Sequence, residues 1–184
     1  MKAFFAAFIM TLFFAGQSTA LEVAGVNLEP AVTVNSQQLK LNGQGIRKKW
    51  FVRVYVGSLY AARRLSTGPE ALKDSGDKLI RINFLISKVE KEKMSEAFSE
   101  GLVNNAPDLI GSPEVKKFLS LFTTDFVKGD FVDLILGADG NVSASHNGKS
   151  LGNIPSTRLA KGVLAIYLGD KPADESLKKG MLGN

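Results

Sequence analysis

Through the first half of the chain, apolar and polar positions alternate with a period of two, the signature of half-buried strands. Val23, Val26 and Leu28 lead to Pro30, and Val32 and Val34 then alternate with Thr33 and Asn35. Gln37 to Leu41 continues the pattern and stops at Asn42-Gly43. Trp50 to Tyr60 is dense in β-branched and aromatic residues and is the strongest predicted strand. Its period puts Phe51, Arg53, Tyr55 and Leu59 on one face and Val52, Val54, Val56 and Tyr60 on the other. Leu79 to Ile86 is a further strand, with Ile80, Ile82, Phe84 and Ile86 on one side.

The period then lengthens. Ser87-Lys88-Val89-Glu90 has capping-box spacing and predicts a helix start, and Met94, Ala97, Phe98, Leu102 and Val103 keep helical spacing to about Asn104. Ser112-Pro113-Glu114 is a second start, with Leu119 and Phe122 on its apolar side. Phe131–Leu136 and Val142–His146 predict a hairpin around Ala138 to Asn141. Asn147-Gly148 is the dipeptide favoured in two-residue turns, where both positions need positive φ. Leu159, Val163, Ile166 and Tyr167 predict an amphipathic helix from about Thr157 ended by Gly169, and a short helix over Ala173 to Leu182 follows. Strands, helices, hairpins and helices in that order predict an α+β fold with a mainly antiparallel sheet.

Residues 1–20 stand apart. Lys2 is followed by an apolar run from Ala3 to Phe14, broken by Thr11, and Ser18-Thr19-Ala20 has the small-x-small pattern of a cleavage site. A bilayer span needs about 20 apolar residues, so this segment is read as a cleaved signal peptide. The remainder, 21–184, is read as one exported domain, periplasmic in a bacterium with two membranes and without an integral membrane segment. The 184 residues include no cysteine, which excludes a disulfide framework, a thiol nucleophile and cysteine-based metal centres. His146 is the single histidine, so two-histidine metal motifs are excluded and neither a metal nor a cofactor is expected.

Two motifs fail on mechanics. Gly43-Gln44-Gly45 opens a predicted strand, whereas a phosphate-binding loop must open a helix; the glycines are read as permitting a turn or bulge. Gly148-Lys149-Ser150-Leu151-Gly152 matches a nucleophile elbow in its letters, but an Asn-Gly turn precedes it, Pro155 follows, and the histidine comes earlier in the chain. His146 is read as a half-exposed strand residue beside a turn.

Charge is more informative. The formal net charge is +5, and between Glu29 and Glu70 there is no acid, while Lys40, Arg47, Lys48, Lys49, Arg53, Arg63 and Arg64 lie there. Export and the return of acids in the helices argue against nucleic acid as the partner. A sheet edge guarded by Lys and Arg accounts for most of these residues. It accounts less well for Arg53, which a regular strand puts on the face of Phe51 and Tyr55; an anionic ligand or membrane surface is the other reading.

Three stretches in order carry a family resemblance: Ala24-Gly25-Val26-Asn27-Leu28-Glu29-Pro30, Leu41 to Lys49 with its Gly43-Gln44-Gly45-Ile46-Arg47, and Val52 to Tyr60. Ile86-Ser87 before the Met94–Leu102 helix, Leu164 to Gly169 and Ser176 to Gly183 extend it over nearly the whole of the chain after residue 20. The sequence resembles the chalcone isomerase-like family in its exported bacterial form. That resemblance implies an open-faced β-sandwich, a large antiparallel sheet with a helical layer on one face and a ligand cleft between them.

Members that isomerise chalcones use an arginine in Gly-x-Gly-x-Arg, which Arg47 matches. Their strand threonine falls on Tyr55, their helix tyrosine, lysine and asparagine on Lys91, Met94 and Phe98, and a further pair on Ile166 and Tyr167. Cyclising an enone needs donors for the developing enolate, and Met and Phe supply none. Non-catalytic members that bind fatty acids are similar here, with an arginine and a strand tyrosine holding the carboxylate. The resemblance therefore implies no catalytic residues and a fatty acid or similar amphipathic carboxylate held by Arg47, Tyr55, Arg53, Met94, Phe98, Ile166 and Tyr167. An isomerase or intramolecular lyase on another substrate, and an interaction protein without a cleft, stay open. In the second case Arg47 is a sheet-edge residue paired to a surface acid, and Met94 and Phe98 are plain core.

Overall fold

The computed structural model describes residues 21–184; the predicted signal peptide, residues 1–20, lies outside the described residues. The strands are β1 (Leu21–Val23), β2 (Val26–Leu28), β3 (Ala31–Val34), β4 (Gln37–Lys49), β5 (Val52–Ala61), β6 (Lys78–Phe84), β7 (Lys88–Val89), β8 (Phe126–Val127), β9 (Phe131–Leu136), β10 (Asn141–His146) and β11 (Lys149–Pro155). The α-helices are α1 (Gly68–Lys73), α2 (Lys91–Asn105), α3 (Pro113–Leu119), α4 (Thr157–Leu168) and α5 (Glu175–Met181). Seven strands form one antiparallel sheet in the order β11-β10-β9-β6-β5-β4-β3. Three two-residue turns, two in this sheet and one joining β1 to β2, share one backbone geometry. Ala24-Gly25, Asn35-Ser36 and Asn147-Gly148 carry positive φ at both turn positions, the geometry that suits the twist of the flanking strands.

All the helices lie on one face of this sheet, giving the open-faced α+β sandwich. Tyr55, Leu59, Ile80, Ile82, Phe84, Val132 and Leu134 face them and share their core. The opposite face carries a smaller apolar cluster of Val34, Leu39, Tyr60 and Leu79. Beside it, Arg81 bridges Asp133 at 2.7 Å and Glu29 at 2.8 Å.

Local pattern and structure part company at four places. The strand from Gln37 does not stop at Asn42-Gly43. It runs on for 13 residues, because a bulge between Leu41 and Gly43 absorbs Asn42. That bulge buries the Asn42 amide, which donates to the carbonyls of Leu65 and Met181 at 2.8 Å each and accepts from Leu65 N–H at 2.7 Å. Ser87 does not cap α2. Lys88–Val89 instead pair with Phe126–Val127, and the Asp125 carboxylate accepts from Lys91 N–H at 3.1 Å. Val103 is exposed rather than on the buried side of α2. Finally, α4 is buried on all sides from Gly162 to Leu168 rather than amphipathic, since it is packed between the sheet and α2.

The glycines of β4 do not make a loop. Gly43 and Gly45 stand opposite Leu59 and Gly57, on the face covered by α5. A Cβ at Gly45 would sit 2.9 Å from the Leu177 backbone, so only a bare strand admits α5 at this distance. The Asp174 carboxylate fastens the start of α5, accepting from Leu177 N–H at 2.9 Å and from Lys48 N–H at 3.2 Å.

Candidate functional site

Arg47 ends the bare stretch of β4, and the antiparallel register sets it directly opposite Tyr55 of β5. Its guanidinium carbon lies 5.7 Å from the centre of the Tyr55 ring. Above them α2 contributes Met94, Ala97 and Phe98 at i, i+3 and i+4, one face of the helix. Ile166 and Tyr167 come from α4, and Ala173 from the link to α5. The two helices approach closely because Gly101 has no side chain: a Cβ there would be 2.7 Å from Ile166 Cγ2.

Six of the seven residues singled out from the sequence, Arg47, Tyr55, Met94, Phe98, Ile166 and Tyr167, thus line one pocket. Arg53 does not. At the end of β5 the pairing slips between Arg47 and Lys48, so that Lys48 faces Arg53 and Arg47 faces Tyr55, with Val54 as the extra residue. The bulge breaks the alternation that had put Arg53 beside Tyr55, and Arg53 is exposed. Ala97 and Ala173 were missed. The i+3 spacing from Met94 marks Ala97, whereas nothing local marks Ala173.

The pocket is tight. Its free volume is about 10 Å³, room for about one water. Phe98 also belongs to an aromatic cluster, stacked on Phe122 and edge-on to Phe118 at 5.0 Å each. A larger groove of about 430 Å³ adjoins the pocket and shares Arg47 and Ala97 with it. Val54, Ile86 and Val89 give this groove an apolar floor, and Lys49, Lys93, Glu96 and Glu100 stand on its rim.

Among the described residues, no carboxylate lies within 4.0 Å of the Arg47 guanidinium. Burial pushes the Tyr55 hydroxyl above the ordinary tyrosine range; the charge and hydrogen bonding of Arg47 and a hydrogen bond from Tyr167 oppose that shift without cancelling it. Burial pushes Tyr167 well above the ordinary value. Both phenols therefore keep their protons at neutral pH. An arginine and protonated phenols form a donor set suited to an anion, and the surrounding side chains offer a low-dielectric wall.

The other basic residues of this region do different things. Arg63 is paired with Glu70 and Asp74 at 2.6 Å each. Arg64 donates to the carbonyls of Asn42, Leu182 and Gly183 and so ties down the end of α5. Ser150 is exposed on β11, in a hairpin rather than at a strand-to-helix elbow. His146 lies 3.1 Å from the Asp130 carboxylate with its ring against Phe126.

Fatty-acid-binding protein 1 of Arabidopsis thaliana is 24% identical over 110 residues, 57% of this chain and 39% of that protein. The chain thus spans about two fifths of the length of this curated relative. The crystal structure of an Arabidopsis thaliana fatty-acid binding protein superposes with a TM-score of 0.67 and 20% identity over 86% of this chain and 92% of that one, which shows a shared fold. The family model described as chalcone isomerase-like matches residues 20–183. This chain belongs to the chalcone isomerase-like family.

Proposed function

We propose that the protein binds a fatty acid or a similar amphipathic carboxylate and catalyses no reaction on it. The observation that carries this reading is Arg47, a cation with no acid partner among the described residues, facing Tyr55 at the edge of an apolar pocket. A carboxylate there takes charge-assisted bonds from Arg47 and a hydrogen bond from the Tyr55 hydroxyl. Such bonds contribute about 1.5–3 kcal/mol. Each CH₂ of the chain that leaves water adds about 0.8 kcal/mol.

With about 10 Å³ free, the chain enters by displacing side chains. Met94 is the one to yield, because its unbranched thioether repacks at low cost. The groove is the mouth, and Arg47 stands at its junction with the pocket. Fatty-acid-binding protein 1 of Arabidopsis thaliana, which the chain resembles in sequence and in fold, supports the ligand class by its name. Met94 and Phe98, apolar where the chalcone-isomerising members carry polar helix groups, support the absence of enone cyclisation.

Titration with dodecanoate by calorimetry tests the reading. Arg47→Ala is expected to weaken binding by about tenfold to a hundredfold, and unchanged affinity overturns the head-group contact. Met94→Ala is expected to tighten binding by opening the pocket. If it does not, while Ala97→Asp abolishes binding, the chain lies in the groove instead. Wild-type protein is expected to cyclise enones no faster than buffer.

Export is part of the same proposal: residues 1–19 precede the family match, and they hold the signal-like run. N-terminal sequencing of the protein recovered from the periplasm is expected to begin at Leu21.

A further inference from the structure

The tip of the β4–β5 hairpin is built unlike the rest of the surface. Trp50 is 87% exposed, Phe51 98% and Val52 53%, three adjoining apolar residues with nothing packed over them. Lys48, Lys49 and Arg53 flank them, all exposed, and none of the three takes part in an ion pair among the described residues.

The backbone holds this arrangement under strain. Lys49 pairs with Val52, so Trp50 and Phe51 form a two-residue turn. Trp50 has φ +59° while Phe51 does not have positive φ. A turn of that form ordinarily takes glycine first, because a side chain in the left-handed region costs about 1–2 kcal/mol. The other two-residue turns in the sheet use Asn-Ser and Asn-Gly, short polar residues or glycine rather than an aromatic. A large aromatic held where glycine is preferred, and left in water, points to a role outside folding.

We propose that this hairpin tip docks the protein on an anionic lipid bilayer, with Trp50 and Phe51 in the headgroup–acyl boundary and Lys48, Lys49 and Arg53 against the negative surface. Indole is the side chain best suited to that boundary, being amphipathic, and Phe51 supplies apolar area beside it. The three cations supply the charge complementarity. They select a bilayer over a neutral protein groove. Lys49 and Val54 also line the groove that leads to Arg47, so docking sets the groove against the lipid. Passing a ligand between bilayer and pocket rests on the proposed function; docking itself does not.

Trp50 is the single tryptophan of the chain, so its emission reports on the tip whatever other segments do. The experiment adds vesicles of phosphatidylglycerol and phosphatidylethanolamine, with or without bromine on the acyl chains, and uses phosphatidylcholine vesicles for comparison. Trp50 emission is expected to move to shorter wavelength on the anionic vesicles, to be quenched by bromine, and to change little on the neutral ones. Salt at about 1 M, where the Debye length is about 3 Å, is expected to reverse the shift.

Phe51→Asp keeps the fluorophore and should abolish the shift. Lys48→Ala with Lys49→Ala should weaken partitioning about twenty-five-fold, about fivefold for each cation. Both changes fall on exposed side chains, so the fold is retained. Emission that is unchanged on anionic vesicles, or equally shifted on neutral ones, overturns the proposal. A shift that grows with protein concentration in lipid-free buffer also overturns it and assigns the tip to a second copy of the chain. Loss of dodecanoate binding in Arg47→Ala bears only on the pocket, and loss of the Trp50 shift bears only on the tip.

Discussion

Replacing Gly43 by alanine tests how α5 is held against the sheet. The new methyl carbon would lie 2.8 Å from Gly183 N and from the Met181 carbonyl oxygen, and closer still to the Gly180 carbonyl oxygen. These are all backbone atoms, so no rotamer change relieves the clash. Ordinary contact begins at about 3.4 Å, and the Gly180 oxygen, the nearest of the three, sets the rise of α5 at about 1 Å. Leu177 and Met181, both fully buried, rise with it. A gap of about 0.5–1 Å forfeits roughly a quarter to a half of the contact energy, and burial of two such side chains is worth about 3–6 kcal/mol. The expected loss is about 1–3 kcal/mol. For a protein of this size about 2–4 °C of Tm follows each kcal/mol, so Tm should fall by about 2–12 °C. Thermal and urea unfolding followed by far-UV circular dichroism measure it. A Tm within about 1 °C of wild type would refute the reasoning, as would a variant structure with α5 unmoved.

Phe98→Ala, which removes a ring packed against Phe118 and Phe122, should cost about 3–5 kcal/mol in urea unfolding. Its stability effect separates core packing from any ligand contact, because it is read without ligand. Burial alone would push the Asp74 carboxyl up, but bonds from buried Lys78 at 2.8 Å and from Arg63 at 2.6 Å outweigh it and hold the pKa below 3.8. A pKa depressed in the folded state stabilises the protein above the unfolded value and loses that contribution as pH falls through the folded one. Stability should thus drop below about pH 4, and Asp74→Asn should lower stability at pH 7 while flattening the acid limb. The Tyr60 hydroxyl is buried without a hydrogen-bond partner, and burial pushes its pKa up to about 12. Tyr60→Phe should therefore leave stability unchanged or raise it by about 1 kcal/mol; a loss above about 1 kcal/mol contradicts that account. Trp50→Gly should raise stability by up to about 1 kcal/mol and remove the aromatic from the tip.

The site was legible in part, and the reasons differ from residue to residue. Arg47, Tyr55, Met94 and Phe98 could be found because a strand pair and an i, i+4 helix face are local patterns, and the ordered family stretches fixed which strand and helix. Ile166 and Tyr167 came from the family stretches, since an α4 buried on every side has no distinctive face of its own. Arg53 was misplaced because a single extra residue, Val54, inverts the side-chain alternation, and no residue in Trp50 to Tyr60 marks the slip. The tightness of the pocket was not legible at all, because residues lining a cleft and residues filling a core have the same composition.

By itself the sequence determined what short-range chemistry controls. Asn147-Gly148 makes its turn because both residues tolerate positive φ, Ser112 caps α3 by accepting from Val115 N–H at 3.3 Å, and Gly169 ends α4. The alternation in β5, β6 and β9 chose which side chains enter the core, and that choice is what makes the fold α+β with helices on one face. Tertiary structure decided everything that depends on a partner distant in the chain. Gly43 and Gly45 read as a turn until α5 lies on them, about 130 residues later. The start of α2 reads as a capping box until Asp125 takes the first amide. Arg47 reads as one basic residue among many until Arg63 and Arg64 find their partners and it does not. A side chain's type is fixed locally, but its hydrogen bonds and its desolvation are set by whatever the folded chain brings against it.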